Sequence, residues 1–138
     1  MEDKITCFKV NWYNWQEHCV ADVVEEEIAI YRKGNRVVFR KFNGYGDLCF
    51  CEIVRIKKDK TDAFFNFLEK VYGEWETDYC VPVFDGSKWK IRVWHSSHKI
   101  DKVCGTVKRF PYKMEIEQFI RSCIVDKNST IAPKIFGF

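Results

Sequence analysis

The sequence lacks any run of about 18 consecutive apolar residues, the length that a membrane-spanning helix needs. Its opening residues, Met-Glu-Asp-Lys-Ile-Thr, lack the apolar core of a secretory signal peptide. We therefore expect a cytoplasmic protein without a membrane segment. The seven cysteines are then expected to be reduced thiols, most of them serving as small core residues.

Motifs that carry catalysis or bind cofactors are also missing. No C-x-x-C pair of the kind common in zinc sites occurs, and the stretch NGYGD matches neither a dinucleotide-binding nor a phosphate-binding glycine loop. His95-Ser-Ser-His98 near Cys104 could be read as a metal site, and Cys104, His95 and Asp101 as a thiol triad. Neither pattern resembles an established motif, so we predict no enzyme, no catalytic residue, no metal and no cofactor. A cysteine- or metal-dependent enzyme stays as an alternative.

Composition indicates a globular chain. Apolar residues make up 46% and charged residues 31% of the 138 positions, and 17% are aromatic. The net charge of +3 is mild compared with that of an obligate nucleic-acid coat protein. The length suits one domain covering residues 1–138.

Two segments of the sequence share one pattern of turns and apolar residues. When the sequence is shifted so that Gly34 meets Gly86, YRKGNRVVFRKF aligns with VFDGSKWKIRVW, and DAFFNFLEKVY aligns with MEIEQFIRSCI. Turns and apolar periods then match without a gap, although few residues are identical. This pattern predicts two βββα units over about 26–72 and 79–125, with an irregular tail at 126–138. Chance alignment of two ordinary hairpin-plus-helix units is the other reading.

The predicted fold class is α+β: an antiparallel sheet built from these two units, with both helices on one face, plus an N-terminal strand. The first helix is expected to begin after Thr61 as N-cap and to stop at Gly73. Strands are predicted near 5–13, 26–32, 36–42, 48–56, 79–84, 89–95 and 100–107, and the second helix near 113–125.

The second half resembles a group of uncharacterised small bacterial proteins. Their D-G-x-x-W hairpin and later Gly…Pro stretch before a C-terminal helix correspond to Asp85, Gly86, Trp89, Gly105 and Pro111. The residues between Gly105 and Pro111 depart from that pattern. The resemblance implies an α+β fold and no particular activity.

Alternation along two predicted strands places basic and aromatic residues on one side of the sheet. If the helices cover Val37, Phe39, Trp89, Ile91 and Val93, the opposite side presents Arg36, Val38, Arg40 and Phe42 from one strand and Lys88, Lys90, Arg92 and Trp94 from the other. Trp15 lies off the period of the first strand and is a candidate exposed anchor in a loop. These residues, without Val38, form the predicted binding site.

Two functions fit this surface. The first is a small non-catalytic protein that binds a protein partner through the sheet face and aromatic loops, by analogy a phage or mobile-element inhibitor of host machinery. The second is nucleic-acid binding, because basic groups contact phosphates and aromatic rings stack on bases. A third reading is a merely solvated sheet face, since antiparallel sheets commonly keep one side in water. Neither the partner nor the oligomeric state follows from the sequence.

Overall fold

The computed structural model describes residues 3–14, 23–34, 36–80, 87–106 and 111–123. Within these residues the chain is α+β, with seven strands and two helices. The strands are β1 (Ile5–Asn14), β2 (Val23–Tyr31), β3 (Arg36–Asn43), β4 (Leu48–Arg55), β5 (Asp78–Tyr79), β6 (Ser87–His95) and β7 (Ile100–Gly105). The helices are α1 (Lys58–Val71), followed by a 3-10 turn at Tyr72–Glu74, and α2 (Lys113–Cys123).

The strands form one sheet in the order β4-β3-β2-β1-β6-β7-β5. All neighbours are antiparallel except β5 and β7, which are parallel. The N-terminal strand β1 lies inside the sheet and pairs with both β2 and β6. Two strands, β1 and β2, therefore separate β3 from β6.

Alternate residues of the strands enter one buried apolar cluster, and we call this side of the sheet the inner face. The cluster joins strand residues such as Phe8, Phe39 and Ile91 to Phe64 of α1 and Ile116 of α2. Trp89 and Phe8 are among its largest fully buried side chains. The opposite side is the outer face.

The start of α1 differs from the predicted one, whereas its C-cap at Tyr72 places Gly73 at the predicted position after the helix. The helix begins at Lys58, so Thr61 lies in its first turn, where its hydroxyl donates a hydrogen bond to the carbonyl oxygen of Lys57 at 2.7 Å. The N-cap is Lys57, which makes no side-chain capping bond. The prediction that Thr61 is the N-cap is therefore wrong; Thr61 is buried and bonds backward instead. Gly73 lies in the 3-10 turn just beyond the helix end.

The two predicted βββα units do not share one strand order. In the first half β2, β3 and β4 are consecutive neighbours, whereas in the second half β5 pairs with β7 and not with β6. Within the described residues, the strand expected at 79–84 is seen at Asp78–Tyr79, and it pairs parallel to β7. The duplication is therefore not confirmed. Residues 81–86 and the tail at 126–138 lie outside the described residues.

No helix within the described ranges combines the length and the apolar character needed to cross a bilayer.

Packing between β6 and β7 generates the first prediction. Gly105 lies opposite Trp89, and a Cβ atom at position 105 would overlap the Cζ2 and Cε2 atoms of the buried indole. We expect Gly105→Ala to lower the free energy of unfolding by about 1–3 kcal/mol, because the indole has no room to move. Gly73→Ala is the matched control, since nothing lies within 4 Å of its added Cβ. Equal urea midpoints for the two variants would contradict the overlap.

Candidate outer-face binding site

The outer face brings together the residues predicted for the binding site, but in two separated groups. Arg36, Arg40 and Phe42 lie on β3, and Lys88, Lys90, Arg92 and Trp94 lie on β6. Between them, cross-strand pairing places the outward residues of β1 and β2. These intervening residues are Cys7, Lys9, Asn11 and Tyr13 from β1, and Glu25, Glu27, Ala29 and Tyr31 from β2.

The centre of the outer face is a hydrogen-bonded charge network around Glu27, whose side chain is 9% exposed. Arg40 Nη1 donates to Glu27 Oε1 at 2.9 Å, and Asn11 Nδ2 donates to Glu27 Oε2 at 3.0 Å. Arg92 Nη2 lies 3.4 Å from Glu27 Oε2 and donates to Asn11 Oδ1 at 3.0 Å. Asn11 also donates to Glu25 at 2.8 Å. We call these five residues the central network.

The central network changes the meaning of two predicted site residues. Arg40 and Arg92 each form an ion pair with Glu27, so their charges are already partly neutralised within the sheet. Sequence reasoning missed Glu25 and Glu27 because it did not place β2 between the two basic rows. Their charge also reaches Tyr13, whose pKa is raised first by burial and then by Glu25.

A cleft of about 370 Å³ lies beyond the network, at the end of the outer face where β1, β2 and β6 meet. Its lining residues are Thr6, Cys7, Lys9, Tyr31, Lys33 and Trp94. We call it the cationic cleft. No carboxylate is among these lining residues.

Cation–aromatic contacts organise the cationic cleft. Lys9 Nζ is 5.9 Å from the Tyr31 ring centroid and 5.2 Å from that of Trp94. Arg36 Cζ lies 5.2 Å from the Tyr31 ring centroid, and Arg92 Cζ lies 5.3 Å from the Trp94 ring centroid. Two rings are thus held beside cations in the arrangement that cation–π attraction favours. The cleft can accept an anionic group against cations and a planar group against a ring.

The β4 edge of the sheet is apolar. In the β3–β4 pair, Phe42 lies opposite Leu48 and Val38 lies opposite Ile53 on the outer face. Leu48 is 53% and Ile53 63% exposed, and Phe50 on the other side of the same strand is also exposed. Among the described strands, β4 pairs only with β3. We call β4, with Leu48, Phe50 and Ile53, the apolar edge.

The cysteines do not behave as the sequence suggests. Of the five whose side chains are described, only Cys7 is buried; Cys49, Cys51 and Cys80 are exposed and Cys104 is half-buried. The expectation that the cysteines are mostly core residues is wrong for this part of the chain. Cys49 and Cys51 both lie on β4, where one side of the strand has no partner strand in the described sheet.

Of the residues considered for a thiol triad, His95 and Asp101 are in contact and Cys104 lies apart from them. His95 is buried, with Nε2 2.8 Å from Asp101 Oδ2 and Nδ1 3.4 Å from Asp3 Oδ2. Cys104 lies three residues beyond Asp101 in β7, and strand alternation turns its side chain to the other face. Cys104 contacts Cys80 instead, with the two Sγ atoms 3.7 Å apart. His98 lies at an exposed turn with a φ of 69°.

Some predicted features lie outside the described residues. These are Trp15, which was expected to be an exposed anchor, and Asp85 and Gly86 of the hairpin turn. Trp89 and Gly105, which also belong to the resemblance, face each other across the β6–β7 pair.

Comparison with family models, curated proteins and solved structures finds no match to this chain. The chemistry of the outer face and its edges is therefore the basis on which a function is proposed below.

Glu27 generates the second prediction. Glu27→Gln removes the charge that Arg40 and Arg92 share, and we expect a loss of about 1–3 kcal/mol in the free energy of unfolding. The control is Glu76→Gln at an exposed carboxylate, which should change stability by less than about 0.5 kcal/mol. Chemical denaturation measures both. Similar losses in the two variants would contradict a structural role for the central network.

Thiol reactivity provides the third prediction. Burial raises the pKa of Cys7 to about 11, and a hydrogen bond to Asp78, followed by burial and Cys104, raises the pKa of Cys80 to about 12. A raised pKa lowers the thiolate fraction, so iodoacetamide at pH 8 should label Cys49 and Cys51 well before Cys7 and Cys80. Peptide mapping in the presence of a chelator measures the four rates, and denaturant should equalise them. Rapid native labelling of Cys80 would contradict its protonated state.

Proposed function

We propose that this protein is a non-catalytic binding protein, and that its partner is another protein whose extended segment pairs with the apolar edge. The observation that carries this proposal is an eight-residue strand at the end of the sheet with exposed Leu48 and Ile53. The side of an edge strand that has no neighbouring strand offers a row of backbone donors and acceptors to an incoming chain.

The two ends of the sheet differ in a way that supports the proposal. The β5 end is only two residues long, and short edge strands are one device by which proteins prevent unwanted pairing. The β4 end is four times as long and carries neither proline nor lysine, two other protective devices. Its pairing with β3 is regular from Arg55 to Phe50, and the irregularity lies near Leu48. Most of β4 is therefore shaped to receive another strand.

Charge indicates what the incoming segment carries. Arg55 lies directly opposite Arg36, a like-charge pair at the end of the β3–β4 ladder. Lys57 and Lys58 follow two and three residues later along the chain and are exposed. An acidic side chain in the partner strand beside Arg55 would relieve this repulsion, while apolar side chains would cover Leu48 and Ile53. The expected partner segment is thus apolar with an acidic residue at one end.

The proposal takes both helices to lie on the inner face, so that the outer face and its edge stay open to a partner. Membership of Phe64 and Ile116 in the same buried cluster as Phe39 and Ile91 supports this arrangement. Such a protein would act by occupying its partner. Inhibition of host machinery by a phage or mobile element is one role of this kind, and it enters by analogy alone.

Nucleic-acid binding is the second candidate, and the cationic cleft is the observation that favours it. Tyr31 and Trp94 offer ring faces for bases, and Lys9 and Lys33 offer charges for phosphates. Glu25 and Glu27 oppose a phosphate backbone that crosses the middle of the same face. The candidate is therefore restricted to a short single-stranded segment at one end of the sheet.

The fourth prediction separates these functions by affinity capture from a lysate of the source cells, with and without nuclease. Ile53→Lys places a charge on the apolar edge, and Met114→Lys on α2 is matched in charge and in exposure, 59% against 63%. We expect a nuclease-resistant protein that the wild type and Met114→Lys capture equally and that Ile53→Lys captures about tenfold less. All variants should keep the wild-type melting temperature, because both positions are exposed.

Three outcomes would contradict the proposal. Equal capture by Ile53→Lys would remove the apolar edge from the interface. Captured material that disappears after nuclease treatment, and that the Trp94→Ala variant no longer captures, would favour the nucleic-acid candidate. A dimer seen by light scattering in the wild type and lost in Ile53→Lys would assign the edge to a second copy of this chain.

A further inference from the structure

We propose that Asp78, Cys80 and Cys104 form a zinc-binding site that joins β5 to β7 at the short edge of the sheet. The three side chains offer one oxygen and two sulfur atoms that all lie within 4.8 Å of one another. Thiolate sulfur with a carboxylate oxygen is a donor set that Zn²⁺ accepts. The site is independent of the proposed function, because it lies at the opposite end of the sheet from β4.

The sulfur separation fits a tetrahedral metal better than it fits a disulfide. Two thiolates bound to Zn²⁺ at about 2.3 Å in tetrahedral geometry are separated by about 3.8 Å. The Cys80 and Cys104 Sγ atoms are 3.7 Å apart, whereas a disulfide would bring them to about 2.0 Å. Asp78 Oδ1 lies 4.0 Å from Cys104 Sγ, about 0.5 Å more than an oxygen and a sulfur ligand on one tetrahedral zinc ion, so the carboxylate would move by about that much on binding.

The backbone holds two of the ligands in place before a metal arrives. Asp78 pairs with Cys104 in the parallel β5–β7 ladder, and the Cys104 amide donates to the Thr77 carbonyl oxygen at 3.2 Å. The Cys80 amide donates to Asp78 Oδ1 at 2.7 Å, which fixes the carboxylate beside the sulfur atoms. This hydrogen bond also favours the ionised form of the Asp78 carboxylate, because an N–H donor stabilises a charged acceptor.

The charge balance around the cluster is also suitable. Two thiolates and one carboxylate bound to Zn²⁺ carry a net charge of −1. Lys90 lies opposite Cys104 on β6, and the charge of Lys88 acts on Asp78. These lysines disfavour a bare cation but stabilise the anionic complex. A metal here would also reinforce β5, which otherwise pairs over two residues only.

Binding is a ligand exchange in which Zn–S and Zn–O bonds replace bonds from the hydrated ion to water, and the Cys80 and Cys104 thiols each release a proton. Zinc affinity should therefore rise with pH, because the thiols lose their protons on binding.

The test is titration of the full chain with Co²⁺ and then Zn²⁺ in the presence of a phosphine reductant, which keeps the thiols reduced. We expect about one equivalent of Co²⁺ to give a thiolate charge-transfer band and the visible bands of a tetrahedral ion, and Zn²⁺ to abolish both. Cys80→Ser and Cys104→Ser should lose the charge-transfer band, and Asp78→Asn should weaken binding about tenfold or more. Cys51→Ser is the control, since it removes an exposed thiol from the other end of the sheet.

Zinc should also raise the melting temperature of the wild type and of Cys51→Ser, but not that of Cys80→Ser. Cys80 is exposed, so its replacement by serine should leave the fold intact and the test decisive. Absence of the thiolate band under reducing conditions would overturn the proposal. So would a band that persists in Cys80→Ser and disappears in Cys51→Ser, because the metal would then be held by the cysteines of β4.

Discussion

Double-sided pairing of β1 is the interaction on which the other features of this fold depend. Because β1 hydrogen-bonds to β2 on one side and to β6 on the other, it joins the two halves of the chain into one sheet. Its inward residues Phe8 and Val10 enter the buried cluster that includes side chains of both helices. Its outward residue Asn11 lies between Glu27 and Arg92 and bonds to both. Core and surface network are therefore tied to the same strand.

The arrangement divides the outer face by chemistry. Internal partners occupy most charged groups at the centre, since Glu27 receives Arg40 and Asn11 and approaches Arg92. Within the described residues, Arg92 Nε is buried without a hydrogen-bond partner. What remains for a ligand lies at the margins: rings and cations around Lys9 at one end, and exposed apolar side chains along β4. Desolvating apolar groups contributes more to association than exposed charge pairs do, which is why the β4 margin is the stronger basis for a binding function.

The two ends of the sheet have different chemistry for a structural reason. β4 is long, is paired on one side in the described sheet and exposes apolar side chains, so its free backbone groups suit another strand. β5 pairs with β7 over two residues in the described sheet, so few backbone hydrogen bonds hold it in place. The side chains of Asp78, Cys80 and Cys104 lie close together at this edge. Side-chain ligands at that end can supply a cross-link that the short ladder does not. We accordingly propose a macromolecular partner for one end and a metal ion for the other.

The sequence by itself determined which side of a strand a residue takes and where most strands lie. β3 was predicted at 36–42 and spans Arg36–Asn43, because a period of two and the turn at Gly34, with its φ of 88°, are local properties. Only the tertiary structure decided which strands are neighbours. That choice put Glu27 between the two basic rows, left Cys51 exposed on an edge and brought Cys80 to Cys104. Local periodicity carries no information on strand order, since pairing joins residues far apart in the chain and is selected by the packing of the whole sheet.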